Sequence, residues 1–172
     1  MPLPAPVLYP PFNIVRLSHV EYRVTDLAAS RAFYVDILGL QVTDEDDTTV
    51  YLRAMEERGH HCIALVQADA ARVGVLGFKL FDEPDLDKAA AWFAGQGLPV
   101  EWVERPYQAR TLRTRDPFGI PLEFYVKMDR LSPIISNISS ITGSNRCGST
   151  ISTCSAPMWM PRSNSTTTSG SG

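Results

Sequence analysis

The stretch that decides the fold is residues 17–27, which read LSHVEYRVTDL. Strand-forming side chains occupy residues 15–24, and Val20, Tyr22 and Val24 alternate with polar residues so that they share one face. This period of two predicts a strand that has one buried face and one face carrying polar side chains.

A helix is predicted directly after this strand, over residues 27–38. Asp26 is a suitable N-cap, because its carboxylate can accept hydrogen bonds from the first free amides of a helix. Apolar residues within the segment recur at spacings of three and four, which places them on one helical face. Gly39 predicts the end of the helix, since glycine readily adopts the left-handed conformation of a C-terminal cap.

The same order of elements occurs twice, as two βαβββ units over residues 15–67 and 73–127. The second predicted helix parallels the first, because Asp85-Leu86 stands where Asp26-Leu27 stands, and Trp92-Phe93 is expected in its core. The other predicted elements are strands at residues 41–43, 49–54 and 62–67 in the first unit, then a strand at 73–81, the helix at 85–95, and strands at 99–104, 110–114 and 122–127 in the second.

This internal repeat predicts an α+β fold. A half-buried unit that is repeated implies that each copy covers the apolar face of the other. We therefore expect a paired βαβββ module over residues 13–127, with a curled mixed sheet, the helices outside and a cleft inside.

The composition excludes several classes of protein. The net charge is −3 and Lys and Arg are scattered, so no nucleic-acid partner is expected. Three cysteines without a close pair argue against a disulfide framework or a structural zinc site. No apolar run approaches the roughly 20 residues of a membrane span. The first residues lack the basic start and apolar run of a signal peptide, so a cytoplasmic protein is expected.

Two segments outside the repeats differ sharply in composition. Residues 1–12 contain five prolines and predict an extended arm. Residues 128–172 form a Ser/Thr-rich tail: from residue 131 on, 18 of 42 residues are Ser or Thr and none is Asp or Glu. Such a tail cannot bury enough apolar surface to offset the entropy of ordering, which predicts disorder.

Several motifs resemble a known superfamily. The opening segments LSHVEYRVTDL (17–27) and FYVDILGL (33–40), with the closing segment DPFGIPLEFY (116–125), resemble the vicinal oxygen chelate superfamily of glyoxalases, bleomycin resistance proteins and extradiol dioxygenases. The proline-rich arm, the triplet YLR at 51–53 and the histidine pair at 60–61 are similar to the N-terminal module of type I extradiol dioxygenases, most closely those acting on homoprotocatechuate (3,4-dihydroxyphenylacetate).

The resemblance implies a metal held by two histidines and one glutamate. His19 falls where the histidine of the first strand would be, and Glu123 where the glutamate of the last strand would be. Such a set suits Fe(II) or Mn(II), because it leaves three adjacent coordination positions open. The implied partners are a small aromatic diol, which would chelate two of these positions, and O₂, which would take the third.

The second histidine is absent from the strand where the resemblance places it. That strand reads VLGFK over residues 75–79, and His60 and His61, expected on the preceding strand, need not face the same cleft. In two-module extradiol dioxygenases the first module is the metal-free one. His19 and Glu123 are thus expected to be vestigial ligands or hydrogen-bonded core residues, while a real or partial metal site is the alternative.

The tail has a second explanation, which is a one-base frameshift. When each codon's last base is joined to the first two bases of the next codon, residues 158–161 can encode only Val-Asp-Ala. Suitable wobble bases from residue 146 on allow the string MRLDHFNMFSPDVDAALEFYHDLGLG, which resembles the start of a second module. The leading hypothesis is an extradiol dioxygenase family protein that lacks its catalytic second module and is inactive alone.

Two other functions fit the same residues. One is a glyoxalase-like enzyme in which His19 and Glu123 bind a divalent ion with ligands from a second chain. The other is a resistance-type module that binds a planar ligand without metal. A homo-oligomer is also expected, because a lone module would expose the apolar surface that normally packs against its partner module.

Overall fold

The computed structural model describes residues 9–132, so the first eight residues of the predicted arm and the tail from residue 133 lie outside the described part. The described part has an α+β fold with the expected order βαβββ-βαβββ. Its strands are β1 (Ile14–Val24), β2 (Gln41–Glu45), β3 (Thr49–Arg53), β4 (Ile63–Gln67), β5 (Arg72–Leu80), β6 (Glu101–Val103), β7 (Thr111–Arg115) and β8 (Pro121–Tyr125); its helices are α1 (Leu27–Ala32), which continues as a π-helical turn over Phe33–Ile37, and α2 (Glu83–Gly95).

All eight strands belong to one mixed sheet with the order β2-β3-β4-β1-β5-β8-β7-β6. The first strand of each unit pairs in parallel with the last strand of the same unit, as β1 with β4 and β5 with β8. The two units meet where β1 and β5 pair antiparallel. The units are therefore related by an approximate two-fold axis that passes between these two central strands.

Each unit buries an apolar core beneath its own helix. In the first unit, α1 covers a cluster that includes Leu52 and Leu65. In the second unit, α2 covers a cluster that includes Phe93 and Phe124. The expectation that each copy covers the apolar face of the other is therefore wrong. Because each helix packs across its own half of the sheet, the units need only join edge to edge through the backbone.

The helix ends follow the local sequence signals. The Asp26 carboxylate accepts a hydrogen bond from the Ala29 amide at 2.8 Å, and Gly39 has a φ of 74°, as the cap predictions require. Helix α2 begins earlier than predicted, with Asp82 as the N-cap that accepts from the Asp85 amide. A proline in its first turn supports this earlier start, since proline fits the first helical positions.

The end of the predicted arm is part of the second core. Phe12 is buried and its ring lies 5.9 Å from those of Phe93 and Phe124. Trp92 contacts Phe12 edge-on but is 39% exposed, so the prediction of a core position holds for Phe93 and is wrong for Trp92. Trp92 packs against Phe12 and Phe93 at the border of this core, so part of its ring stays exposed.

The opposite face of the sheet carries the polar residues. Glu123 alternates with Leu122 and Phe124, which belong to the second core, so its side chain projects into the inner cleft. No helix among residues 9–132 is long and apolar enough to cross a membrane.

Candidate functional site

His19, Gly77 and Glu123 form one row across the three central strands. His19 of β1 is the register partner of Gly77 of β5, and Gly77 is the register partner of Glu123 of β8. The His19 and Glu123 side chains are 1% and 0% exposed, and the imidazole Nε2 lies 3.9 Å from the carboxylate Oε2. The two residues singled out from the sequence are therefore brought together, with a glycine between them. We call these three residues the central row.

Gly77 stands at the strand position where a third ligand would project into the cleft. A Cβ built on Gly77 would lie within 3.0 Å of three atoms of the His19 ring. The imidazole of His19 thus occupies the space that any side chain at position 77 would need. A second histidine at this position would require the His19 ring to move first.

Burial keeps His19 neutral. Desolvation, followed by the nearby Arg105 guanidinium, lowers the pKa of His19 from its ordinary 6.5 to about 4, although Glu21 opposes this shift. The Gln108 amide nitrogen lies 3.3 Å from Nε2, whereas the buried Nδ1 has no hydrogen-bond partner among the described residues. Because the amide nitrogen donates to Nε2, the proton of the neutral ring is on Nδ1, and the lone pair that a metal would need is already used by Gln108.

Two arginines neutralise Glu123. Arg113 donates to Oε1 from two nitrogens, at 2.6 and 3.0 Å. The Arg105 Nε lies 3.3 Å from Oε2, outside hydrogen-bond geometry, so Oε2 remains without a hydrogen bond in the described part of the chain. Two guanidinium groups therefore supply the positive charge that a buried carboxylate requires.

Arg105 also holds a second buried carboxylate. Its NH2 group lies 2.5 Å from the Glu21 Oε2, while Arg23 contacts the other oxygen of Glu21 at 2.9 Å. Burial would lower the pKa of Arg105, but Glu123 and Glu21 outweigh it and the pKa is raised. Arg105 is therefore a fixed cation between β1 and β8. A metal bound by the central row would have to contact Glu123 at the same place.

One member of the histidine pair, His61, faces the central row. His60 and His61 lie in the segment before β4 rather than on the strand where they were expected. The rings of His61 and His19 are 5.1 Å apart, and burial together with the two neighbouring histidines and Arg105 lowers the pKa of His61 to about 2. His60 stacks on Tyr107 with ring centroids 3.6 Å apart, and Tyr107 has an unusual φ of 64°.

Four residues of this cleft were not identified from the sequence. Arg105, Tyr107 and Gln108 lie in the segment between β6 and β7, and Arg113 lies on β7. An isolated arginine on a strand or in a loop carries no motif, and nothing in the local sequence indicates which carboxylate it will meet. The alternation of Arg113 with buried Leu112 and Thr114 was the one available signal, since it places the arginine on the polar face.

The residues present do not fit a metal ion held by three protein ligands. Among residues 9–132, no group of three or more His, Cys, Asp or Glu side chains could hold a metal. The space of the third ligand is filled by the His19 ring, and Glu123 already faces two guanidinium groups.

The paired βαβββ units and the central row define a module of the vicinal oxygen chelate kind. A family model described as the Glyoxalase/Bleomycin resistance protein/Dioxygenase superfamily matches residues 16–124, and the chain belongs to this superfamily.

Similar proteins include a dioxygenase and a metapyrocatechase. The chain is 28% identical over 121 residues to a manganese-dependent 2,3-dihydroxybiphenyl 1,2-dioxygenase from Geobacillus genomosp. 3, a match that covers 69% of this chain and 38% of the relative. It is 32% identical over 117 residues to a metapyrocatechase from Pseudomonas sp. (strain CF600), covering 66% and 38%.

A solved structure of a dioxygenase is also similar to this chain. A substrate complex of homoprotocatechuate 2,3-dioxygenase from Brevibacterium fuscum with 3,4-dihydroxyphenylacetate superposes with a TM-score of 0.69 at 35% identity, covering 74% of this chain and 41% of that one. The chain spans about two fifths of the length of each of these three proteins.

Proposed function

We propose that residues 13–127 form the non-catalytic module of an extradiol ring-cleavage dioxygenase. The observation that carries this proposal is the central row, in which Gly77 stands between His19 and Glu123 and the His19 ring fills the space above it. Arg105 and Arg113 take the charge of Glu123, so the row is stable without a metal cation. A module of this kind contributes fold and surface rather than chemistry.

The substrates belong to the whole protein in this proposal. Ring cleavage would need Fe(II) or Mn(II) in a second module, which would bind a small aromatic diol and O₂. Similarity to enzymes named for 2,3-dihydroxybiphenyl and homoprotocatechuate supports an aromatic diol, and the solved complex with 3,4-dihydroxyphenylacetate favours a homoprotocatechuate-like substrate. The metal would supply Lewis acidity and a path for electrons from the diol to O₂.

The coding sequence after residue 130 is proposed to continue into that second module in a shifted frame. Support comes from residues 146–172, whose codons permit 26 consecutive residues resembling a module start, with three of them forced by residues 158–161. These residues lie outside the described part of the chain. Sequencing of the gene past codon 130 tests the idea, which fails if the shifted frame contains no long open reading frame.

Metal content and oxygen uptake test the proposal directly. The chain is expressed with added iron and manganese, and its metal is measured beside a His19→Ala variant. We expect substoichiometric metal in both proteins and no oxygen uptake with 3,4-dihydroxyphenylacetate or 2,3-dihydroxybiphenyl. Stoichiometric iron or manganese that is lost in the His19→Ala variant would contradict the proposal and favour a glyoxalase-like metal site instead.

A gene with one base inserted between codons 130 and 146 provides the positive control. Its product should bind metal and consume O₂ with an aromatic diol, and a His19→Ala change in this longer protein should leave its metal content unchanged. Loss of metal from the longer protein on changing His19 would place the centre in the first module and refute the assignment.

A further inference from the structure

A cavity lies at the end of the cleft, beyond the central row. It has a volume of about 600 Å³, within the range of small-ligand sites. Strands β1, β5, β7 and β8 and the turn over residues 116–121 form its walls. Four arginines line it, namely Arg23, Arg72, Arg113 and Arg115.

The carboxylates of this region are already paired. Glu21 is the one acidic residue among those described as lining the cavity, and it contacts both Arg23 and Arg105. Within residues 9–132, Arg72 and Arg115 form no ion pair, and Arg115 donates one hydrogen bond to the Gly119 carbonyl. The cavity therefore has a surplus of guanidinium donors, whose planar geometry suits a carboxylate.

Apolar groups stand beside these donors. Phe118 is 91% exposed, and Ile120 and Val73 are also exposed at the same cavity. The nearby Asp116 carboxylate accepts hydrogen bonds from the Phe118 and Ile120 amides, and Asp116 lines a separate cavity rather than this one. An exposed aromatic ring next to unpaired guanidinium groups matches a ligand that has one flat apolar part and one anionic part.

The Glu21 side chain lies over a glycine at the cavity wall. A Cβ built on Gly74 would lie within 3.0 Å of the Glu21 Oε1, so a larger residue there would push against the buried ion pair. The Glu21 side chain thus occupies the space above Gly74, and its charge is taken by Arg23 and Arg105. Arg72 and Arg115 are left to meet a ligand above this paired carboxylate.

We propose that this cavity binds a small aromatic carboxylate, with its carboxylate on Arg72 and Arg115 and its ring against Phe118. The site needs neither a metal nor a second module, so it is independent of the ring-cleavage proposal. A negative result for the carboxylate site does not bear on the ring-cleavage proposal, and the reverse also holds, because benzoate binding is measured on the metal-free chain.

Titration of the whole chain with benzoate tests this inference, with benzamide as the neutral probe of the same shape and inorganic phosphate as an anion without a ring. Benzoate should shift the amide resonances of residues 72–75 and 118–120 and bind less tightly as salt is raised. Benzamide should bind at least about tenfold more weakly, because it lacks the charge-assisted hydrogen bonds. Benzamide binding as tightly as benzoate, or phosphate competing as strongly as benzoate, would overturn the proposal.

Variants identify the contacts. Arg72→Gln combined with Arg115→Gln should weaken benzoate binding at least about tenfold. Arg110→Gln removes an exposed arginine that pairs with Asp87 outside the cavity and serves as the matched control, with no change expected. Should the double variant fail to fold, Phe118→Ala removes a fully projecting ring and should weaken benzoate but not phosphate. Unchanged benzoate affinity in the folded double variant, or in Phe118→Ala, would refute the site.

Discussion

Gly77 is the position at which the central row differs from a three-ligand metal site. Its lack of a Cβ allows the His19 imidazole to occupy the space above β5, and His19 in turn contacts the His61 and Tyr125 rings. The row is therefore packed as a core, and its polar atoms are surrounded by rings and guanidinium groups. A methyl group added at Gly77 should therefore displace the His19 ring and disturb its packing against His61 and Tyr125.

Replacing Gly77 with Ala should lower the free energy of unfolding by about 2–3 kcal/mol, because the new Cβ would overlap the buried imidazole. Gly95→Ala is the matched control, since a Cβ there would meet nothing within 4 Å and the residue lies at the end of α2. The control should change stability by no more than about 1 kcal/mol, in the stabilising direction. Urea denaturation of both variants measures the difference, and equal stabilities would show that His19 does not fill the space above β5.

Buried neutral histidines predict that acid destabilises the fold. The folded pKa of His19 is about 4, below its ordinary 6.5, so between these pH values the unfolded chain binds a proton that the folded chain does not. The contribution of His19 to stability is complete above pH 6.5 and declines as the pH falls toward 4, by about 3 kcal/mol. Denaturation at a series of pH values should show this loss, and His19→Gln should show a shallower dependence across the same window. Parallel curves for the two proteins would contradict the assignment.

At the scale of elements, the segment between β6 and β7 supplies side chains that contact both halves of the cleft. It supplies Arg105 to carboxylates on β1 and β8, Gln108 to His19, and Tyr107 to the stack with His60. Tyr107 also donates a hydrogen bond to Asp44 of β2. This segment of the second unit therefore reaches across to the first unit, which is a tie between the halves in addition to the β1–β5 pairing.

Arg105→Gln should lower the free energy of unfolding by roughly 2–3 kcal/mol, since two buried carboxylates each lose one of their cations while Arg23 and Arg113 remain. Arg110→Gln, which breaks an exposed pair with Asp87, should cost less than about 1 kcal/mol. Thermal and urea unfolding of the two variants measure these effects. An Arg105 variant as stable as the Arg110 variant would mean that the buried carboxylates do not depend on this guanidinium.

At the scale of the whole molecule, several large apolar side chains remain on the surface of the described part. Phe33 and Ile37 of the π-helical turn are 46% and 58% exposed and lie four residues apart on one face. Surfaces of this kind in a folded chain commonly pack against another protein surface. The π-helical turn therefore presents two apolar side chains outward, while its Tyr34 and Val35 pack against the first core.

We predict that the chain self-associates through this outer face of the π-helical turn. Sedimentation at increasing concentration should show a dimer, and a double variant with Phe33→Ser and Ile37→Ser should remain monomeric because it loses the apolar contact. Phe81→Ser, at a 70% exposed position after β5, is the control and should dimerise like the parent chain. A parent chain that stays monomeric throughout the range would refute the prediction.

The sequence by itself determined the order of elements, the caps of the first helix and the two-unit sheet, because these depend on local periodicity and on single residues such as Asp26 and Gly39. His19 and Glu123 were singled out by the resemblance to the superfamily, and the structure places their side chains 3.9 Å apart. The α2 start was missed by two residues, as Asp82 rather than Asp85 caps the helix. Local signals thus predicted most of the backbone.

Only the tertiary structure decided what surrounds those two residues. The register of three strands places Gly77 between His19 and Glu123. Arg105, which lies 84 residues after Glu21 in the chain, donates a hydrogen bond to the Glu21 carboxylate. The tertiary structure also decided that each unit buries its own core, which the repeat alone did not indicate. Contacts between side chains distant in the chain depend on register and loop geometry, and neither quantity is written in the local pattern of the residues involved.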